Sequence, residues 1–256
     1  MRRLVFLAPA ALLVGFGGIA LAGEPSSIGT DNQILQVKAS PPRAGTALRP
    51  QPAAIDFSAL LYTSDGKRSS LSTRTIKVRF TGFHFNPSAF AKCLESKLEK
   101  TGPSACPAAS RLGGGTAMAD ARPTLATPLT AKVQAFNGTL DIDAAGKPIA
   151  PKPAILIFAD AGGGLKTYLP TLFRSADTVE TAEGTPPTPG TQSLFTITSL
   201  HLILPAKTKR VGRRTVAYAD TPRSCPGGRW RYVQTNSYYS GEKVVTTDTQ
   251  PCVAKL

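Results

Sequence analysis

Thr75-Ile76-Lys77-Val78-Arg79-Phe80 alternates apolar and polar side chains through its whole length. A strand turns successive side chains to opposite faces, so Ile76, Val78 and Phe80 fall on one side and Lys77 and Arg79 on the other. That is the pattern of a half-buried strand. Further strand-like runs follow at 132–136, 155–158, 194–204, 215–218, 230–235 and 244–248. Turn formers divide them: Asn137-Gly138, Ala145-Gly146, Gly162-Gly163-Gly164, the Pro- and Gly-rich stretch 186–190, and Pro226-Gly227-Gly228. Many short strands punctuated this way suggest an antiparallel sandwich or barrel. We read the fold as all-β, an antiparallel β-sandwich of Ig-like or jelly-roll-like form, with one short helix near 87–100. Asn86 suits the cap of that helix and Pro87 its first position, while Phe90, Leu94 and Leu98 recur at spacing four. Gly102 ends it and Pro103 prevents continuation, which places Cys93 on the helix.

The N-terminus reads as an export leader. Arg2 and Arg3 give a positive start, the run 4–21 is apolar apart from small residues, and Ala20-Leu21-Ala22 offers a small-x-small cleavage site. A membrane-spanning helix competes, because the run is just long enough for a bilayer. The Gly17-Gly18 break and the Pro-rich sequence that follows favour removal, and no second stretch is long enough to span. We therefore divide the chain into a leader at 1–22, an extended or disordered lead-in at 23–52 and a single β domain at 53–256. The expected location is secreted or on the cell-envelope exterior.

The four cysteines form two local pairs. Cys93 and Cys106 lie 13 positions apart around the expected helix and the Gly102-Pro103 turn; Cys225 and Cys252 lie 27 apart across a strand-turn-strand segment. Behind an export leader, such spacing reads as a disulfide framework. The midpoint of Cys225 and Cys252 falls between Tyr238 and Tyr239, beside the turn signal Ser240-Gly241, so a hairpin closed there brings the two cysteines together. A metal site is the other use of four cysteines, but neither pair has Cys-x-x-Cys spacing and the two histidines are remote in sequence. Three connectivities are open, and we expect the local one.

The run Phe85-Asn86-Pro87-x-x-Phe90-x-x-Cys93, then Gly102-Pro103-x-Ala105-Cys106-Pro107-x-x-Ser110-x-x-Gly113-x-Gly115, resembles a family of exported actinobacterial proteins. Its members are similar in ending with Cys225-Pro226, Trp230, an aromatic-Gly turn and Pro251-Cys252. The resemblance covers roughly residues 74 to 122 and 193 to 252. It implies export, disulfides and a β fold, and it implies no chemistry, cofactor or ligand.

Residue types that carry catalysis are sparse. A nucleophilic triad needs a histidine base, and only His84 and His201 exist, each between apolar neighbours. No Gly-x-Ser-x-Gly elbow occurs. Asp141 and Asp143 flank Ile142 at a hairpin entry, where solvated turn residues are expected in place of a calcium loop. Gly113-Gly114-Gly115 is followed by no helix pattern and no Gly-Lys-Ser, so a tight turn or bulge is expected there, not a phosphate cradle. We assign no catalytic residue, no metal and no cofactor; the alternative is a secreted hydrolase.

Charge points to binding. The chain carries 30 Lys and Arg against 16 Asp and Glu; without Arg2 and Arg3 the balance is 28 to 16, about +12. Such a charge attracts anionic surfaces. The basic residues concentrate between Lys207 and Arg231, with Tyr218, Trp230 and Tyr232 interleaved. Lys207, Lys209, Arg210, Arg213, Arg214, Arg229, Trp230 and Arg231 form the candidate surface for an anionic cell-envelope polymer, with a protein partner as the other class. No nucleic-acid motif appears. The expected function is a non-catalytic envelope or extracellular protein that binds or builds structure.

Overall fold

The computed structural model describes residues 25–46, 49–69, 71, 73–122, 125, 127–143, 145–183 and 196–254; the leader expected at 1–22 lies outside them. In chain order the strands are β1 (Ser26–Ile28), β2 (Asp31–Ser40), β3 (Ala54–Thr63), β4 (Thr73–Phe80), β5 (His84–Phe85) and β6 (Cys93–Leu94). The helix α1 (Glu95–Thr101) follows. Then come β7 (Arg111–Asp120), β8 (Leu129–Ile142), β9 (Pro148–Asp160), β10 (Lys166–Ser175), β11 (Thr178–Thr181) and β12 (Thr196–Leu204). The chain continues through β13 (Thr208–Val211), β14 (Arg214–Ala217), β15 (Ala219–Asp220), β16 (Arg229–Tyr238) and β17 (Lys243–Pro251). Among the described residues the fold is all-β and mainly antiparallel, with one α-helix and both expected disulfides.

One sheet dominates. Its order is β1-β2-β3-β12-β7-β8-β9-β10-β11-β4-β16-β17, and it curls until it is nearly closed into a barrel. The two facing walls of a sandwich are thus supplied by a single rolled sheet. Alternation decides what faces inward. Ile76, Val78 and Phe80 of β4, with Ile55, Phe57, Ala59 and Leu61 of β3, line the interior, as the period-2 reading of β4 requires. Lys77 and Arg79 stay outside. β7 and β12 approach closely: a Cβ on Gly113 or Gly115 would come within 2.0 or 1.9 Å of the carbonyl oxygens of Ile203 or His201. These glycines lie inside β7, with a register irregularity between Arg111 and Gly113.

Within the lead-in expected at 23–52, residues 26–28 and 31–40 are instead part of the sheet. β1 and β2 form a hairpin, β2 pairs along its full length with β3, and Leu35, Val37 and Ala39 are buried in the interior. The apolar patch at 34–37 is the cause: its burial outweighs the turn-rich flanks.

Closure between β2 and β17 is made largely by side chains. Val37 N–H donates to Asp248 Oδ2 at 2.7 Å, Ala39 N–H donates to Gln250 Oε1 at 2.7 Å, and Gln250 Nε2 donates back to Ala39 O at 2.7 Å. At one end of this seam the backbone takes over: Val253 N–H donates to Pro42 O and Ala44 N–H to Val253 O. Edge groups that the curled sheet would otherwise bury unpaired are satisfied in this way.

A second apolar layer lies on the outside of β8, β9 and β10. Phe136, Leu140, Leu156, Phe158 and Leu172 face outward there and are covered by Leu98 of α1 and the Cys93–Cys106 disulfide. Asn137 fixes this arm by donating from Nδ2 to the carbonyls of Pro87, Phe90 and Ala91. The helix starts later than expected: a single 3₁₀ turn occupies Pro87–Ala89, and Cys93 sits in β6, paired in parallel with β8. Pro87 and Asn86 open that turn, and the pull of β8 on the Cys93–Leu94 backbone keeps it extended.

The C-terminal hairpin pairs Arg229 with Pro251 and Ser237 with Lys243, so it centres on Ser240. Straight continuation would set Gly228 opposite Cys252, and Cys252 N–H indeed donates to Gly228 O. The turn Pro226–Gly228, with Gly227 at φ 58°, folds the chain back so that Cys225 reaches Cys252 at a Cα separation of 5.8 Å. Both disulfides have the local pairing expected, and their Cα separations lie within the usual range.

The seam yields a direct expectation. Asp248→Leu leaves the Val37 N–H buried without an acceptor and should cost about 1–3 kcal/mol in urea unfolding. Asp248→Asn keeps an acceptor and should cost less than half as much.

Candidate functional site

The interior is filled at one end and open in the middle. At the end where Phe80 pairs with Tyr232, the aromatic rings pack edge to face: Phe80 on Phe85 at 5.4 Å, Phe83 on Trp230 at 5.4 Å, and Phe90 on Tyr218 at 5.4 Å between centroids. Above this plug lies a cavity of about 400 Å³. Its walls are the inward apolar positions of β3, β4, β9 and β12, such as Phe57, Ile76, Ile157 and Leu200. A few polar side chains interrupt them. Gln33 Nε2 donates to Tyr238 Oη and Gln234 Nε2 donates to Asn236 Oδ1. Gln33 Oε1, Gln234 Oε1 and Thr171 Oγ1 are buried without a partner.

Arg74 stands at the other end of β4. It lines the cavity while half-exposed, so it marks the mouth. Its guanidinium makes a two-pronged ion pair with Glu183, Nε to Oε1 at 2.6 Å and Nη2 to Oε2 at 3.1 Å. Tyr239 also lines this rim, and burial raises its pKa, with the Glu183 charge adding to the effect. A concave, mainly apolar space with a small number of placed polar groups is the usual form of a small-molecule site. Sequence reading pointed elsewhere. The signal was present in the inward positions of the strands, but which strands face one another depends on a sheet order that local pattern does not carry.

The expected basic surface is divided by the fold. Lys209, Arg210, Arg213 and Arg214 are exposed on the β13–β14 hairpin, a separate two-stranded sheet. Arg229 and Arg231 are exposed on β16, with Arg229 Nε donating to Thr249 Oγ1. Lys207 is a structural tie: its Nζ donates to Ala109 O and Arg111 O, and burial lowers its pKa. Trp230 must be corrected. It is 2% exposed, packs in the aromatic plug and donates from Nε1 to Ser224 O, so it presents no face to a polymer. The strand alternation that exposes Arg229 and Arg231 turns Trp230 inward.

His201 Nε2 lies 2.9 Å from Asp56 Oδ1, both about half exposed. Its chain neighbours Leu200 and Leu202 line the cavity, so the pair sits on the outer face of the barrel. His84 is exposed in β5, opposite Asp220 of β15. The two histidines are thus on separate sheets. Asp143 accepts from the N–H groups of Ala145 and Lys147 and shapes its own turn. Asp141 is not a solvated turn residue: it accepts from Ser96 N–H at 3.0 Å and Ser96 Oγ at 2.6 Å and so holds the start of α1. Among the described residues no group of three or more His, Cys, Asp and Glu gathers as a metal site. No family model matches the chain, and no curated protein or solved structure is similar to it.

Beside Asp141, Glu95 is buried with Oε2 unpartnered. Burial, then the charges of Asp141 and Glu99, raises its pKa to about 7. A carboxyl whose folded pKa is raised binds its proton more tightly when folded, so stability falls as pH rises from about 4.5 to about 7. Glu95→Gln should remove that slope. Thermal unfolding of the variant should exceed the parent above pH 7, by an amount on the order of 1–3 kcal/mol, and match it near pH 4.

Proposed function

We propose that this chain is a non-catalytic exported protein whose barrel holds a small apolar molecule in its interior. The observation that carries the reading is the cavity of about 400 Å³, sealed by aromatic rings at one end and rimmed by Arg74 at the other. A core packed to ordinary density leaves few voids larger than a water. Here large side chains surround the space without filling it. Both disulfides favour an oxidising compartment, and no helix among the described residues is long and apolar enough to cross a membrane. The leader-like N-terminus and the resemblance to exported actinobacterial proteins support export.

A second reading concerns the surface. Lys209, Arg210, Arg213 and Arg214 project from one hairpin, and four cations on one ribbon favour contact with an anionic envelope polymer. The two readings are compatible: the hairpin would hold the barrel near a surface while the interior carries its cargo.

The cavity is tested by titration with a neutral naphthyl fluorophore, which should bind with saturable emission at one site per chain. Ala59, which lies between Leu35 and Leu200 on neighbouring strands, faces the cavity. Ala59→Phe should abolish that signal while leaving circular dichroism and the melting temperature near those of the parent. Absence of saturable binding by the parent refutes the reading. For the hairpin, retention on isolated cell wall should fall at least tenfold between 50 and 500 mM salt, as roughly expected of exposed charges, and should be lost when Lys209, Arg210, Arg213 and Arg214 are all replaced by Ser.

A further inference from the structure

The geometry points to the class of molecule that the cavity takes: an amphiphile with one acyl chain and an anionic head, the head seated on Arg74 in exchange for Glu183. This rests on the reading of the cavity as a ligand site and specifies its occupant.

Shape sets the tail. The lining runs along β4 from Arg74 to Phe80, six residue steps, or roughly 20 Å at the rise of a strand. An apolar space of about 400 Å³ along that length suits an extended hydrocarbon chain. The walls along this length are Phe57, Ile76, Val78, Ile157, Leu200 and Leu202, which suit hydrocarbon.

Charge sets the head. Among the described residues Arg74 is the one cationic residue that lines the cavity, and it sits at the open end. Its fork already grips a carboxylate in two-pronged fashion, so the geometry for a carboxylate or phosphate is built. The present partner is replaceable, because both members of the pair are about half exposed and such surface pairs are worth little. A ligand head loses less on exchange than Glu183 does, since its tail is held in the apolar channel. The aromatic plug fixes polarity: a chain entering at Arg74 meets Phe80 and Phe85 at its far end, with no charged group there.

Competition against the naphthyl fluorophore tests this with full-length protein at pH 7.5. Dodecanoate, dodecyl phosphate, methyl dodecanoate and dodecanol are compared below their aggregation concentrations, each normalised to the fluorophore affinity of the same variant. In the parent, dodecanoate or dodecyl phosphate should displace the probe at concentrations about tenfold lower than the ester; which of the two does better tells a carboxylate from a phosphate head. In Arg74→Gln the acid-to-ester ratio should fall to about one. In Glu183→Gln it should rise several-fold, because the competing carboxylate is gone, a change of sign that loss of structure does not produce. Equal displacement by acid and ester in the parent, preference for dodecanol, or an advantage that survives Arg74→Gln overturns the head-group assignment while leaving the cavity reading intact. Failure of the fluorophore to bind the parent removes both.

Discussion

A sheet rolled toward a barrel must satisfy the backbone groups on the two edges that meet, and everything inside depends on that seam. Here the edges of β2 and β17 do not join by a continuous ladder. Asp248 and Gln250 reach across and take the N–H groups of Val37 and Ala39, while Gln250 also donates to the Ala39 carbonyl. Side-chain bonding spans a gap that backbone pairing would pull tight. The wall beside the seam carries polar residues, Gln33, Gln234 and Asn236.

The two disulfides act on separate parts of this construction. Cys225–Cys252 clasps the open end of the β16–β17 hairpin beside the aromatic plug, with Trp230 packed against Phe83. Cys93–Cys106 binds the arm that covers the outer faces of β8 to β10, where a bare sheet would expose Phe136, Leu156 and Phe158. Closing loops of these lengths restricts the unfolded chain, a contribution of roughly 3 kcal/mol each in the chain-entropy account. That is a large share of the stability of an ordinary domain.

Local pattern made much of this legible. Alternation in β4 identified its inner face, and the Cys225–Cys252 span identified the hairpin within two residues of its centre. What local pattern could not carry was sheet order. β4 lies between β11 and β16, and β12 between β3 and β7, pairings of long sequence separation that no short motif marks. The cavity is a product of those pairings, which is why its residues were read only as strand positions. Trp230 shows the same limit on a smaller scale. Between two arginines it looks like part of a basic surface, and only alternation resolved against the sheet turns it inward. At 23–52 the error ran the other way: composition suggested a tail, while three inward residues of β2, Leu35, Val37 and Ala39, were enough to fix it in the wall.

The distribution of side-chain size along the barrel explains why its interior divides into a solid and a hollow part. Near Phe80 the inward positions of β4, β5 and β16, and the loop between β4 and β5, are aromatic, and the rings interlock in edge-to-face contact that fills the cross-section. Toward Arg74 the inward positions mix short side chains, Ala59, Thr73, Thr181 and Thr198, with Leu61, Leu169 and Leu200, and together they do not fill the same span. Leaving such a space in an apolar interior forfeits packing contacts that larger residues would make. A fold built for stability alone would fill it with leucine or phenylalanine, as it does one end of the same strands. The small residues and the charged rim occur together at the end where the barrel opens, and a ligand that completes the packing there is the account that gives both features one cause.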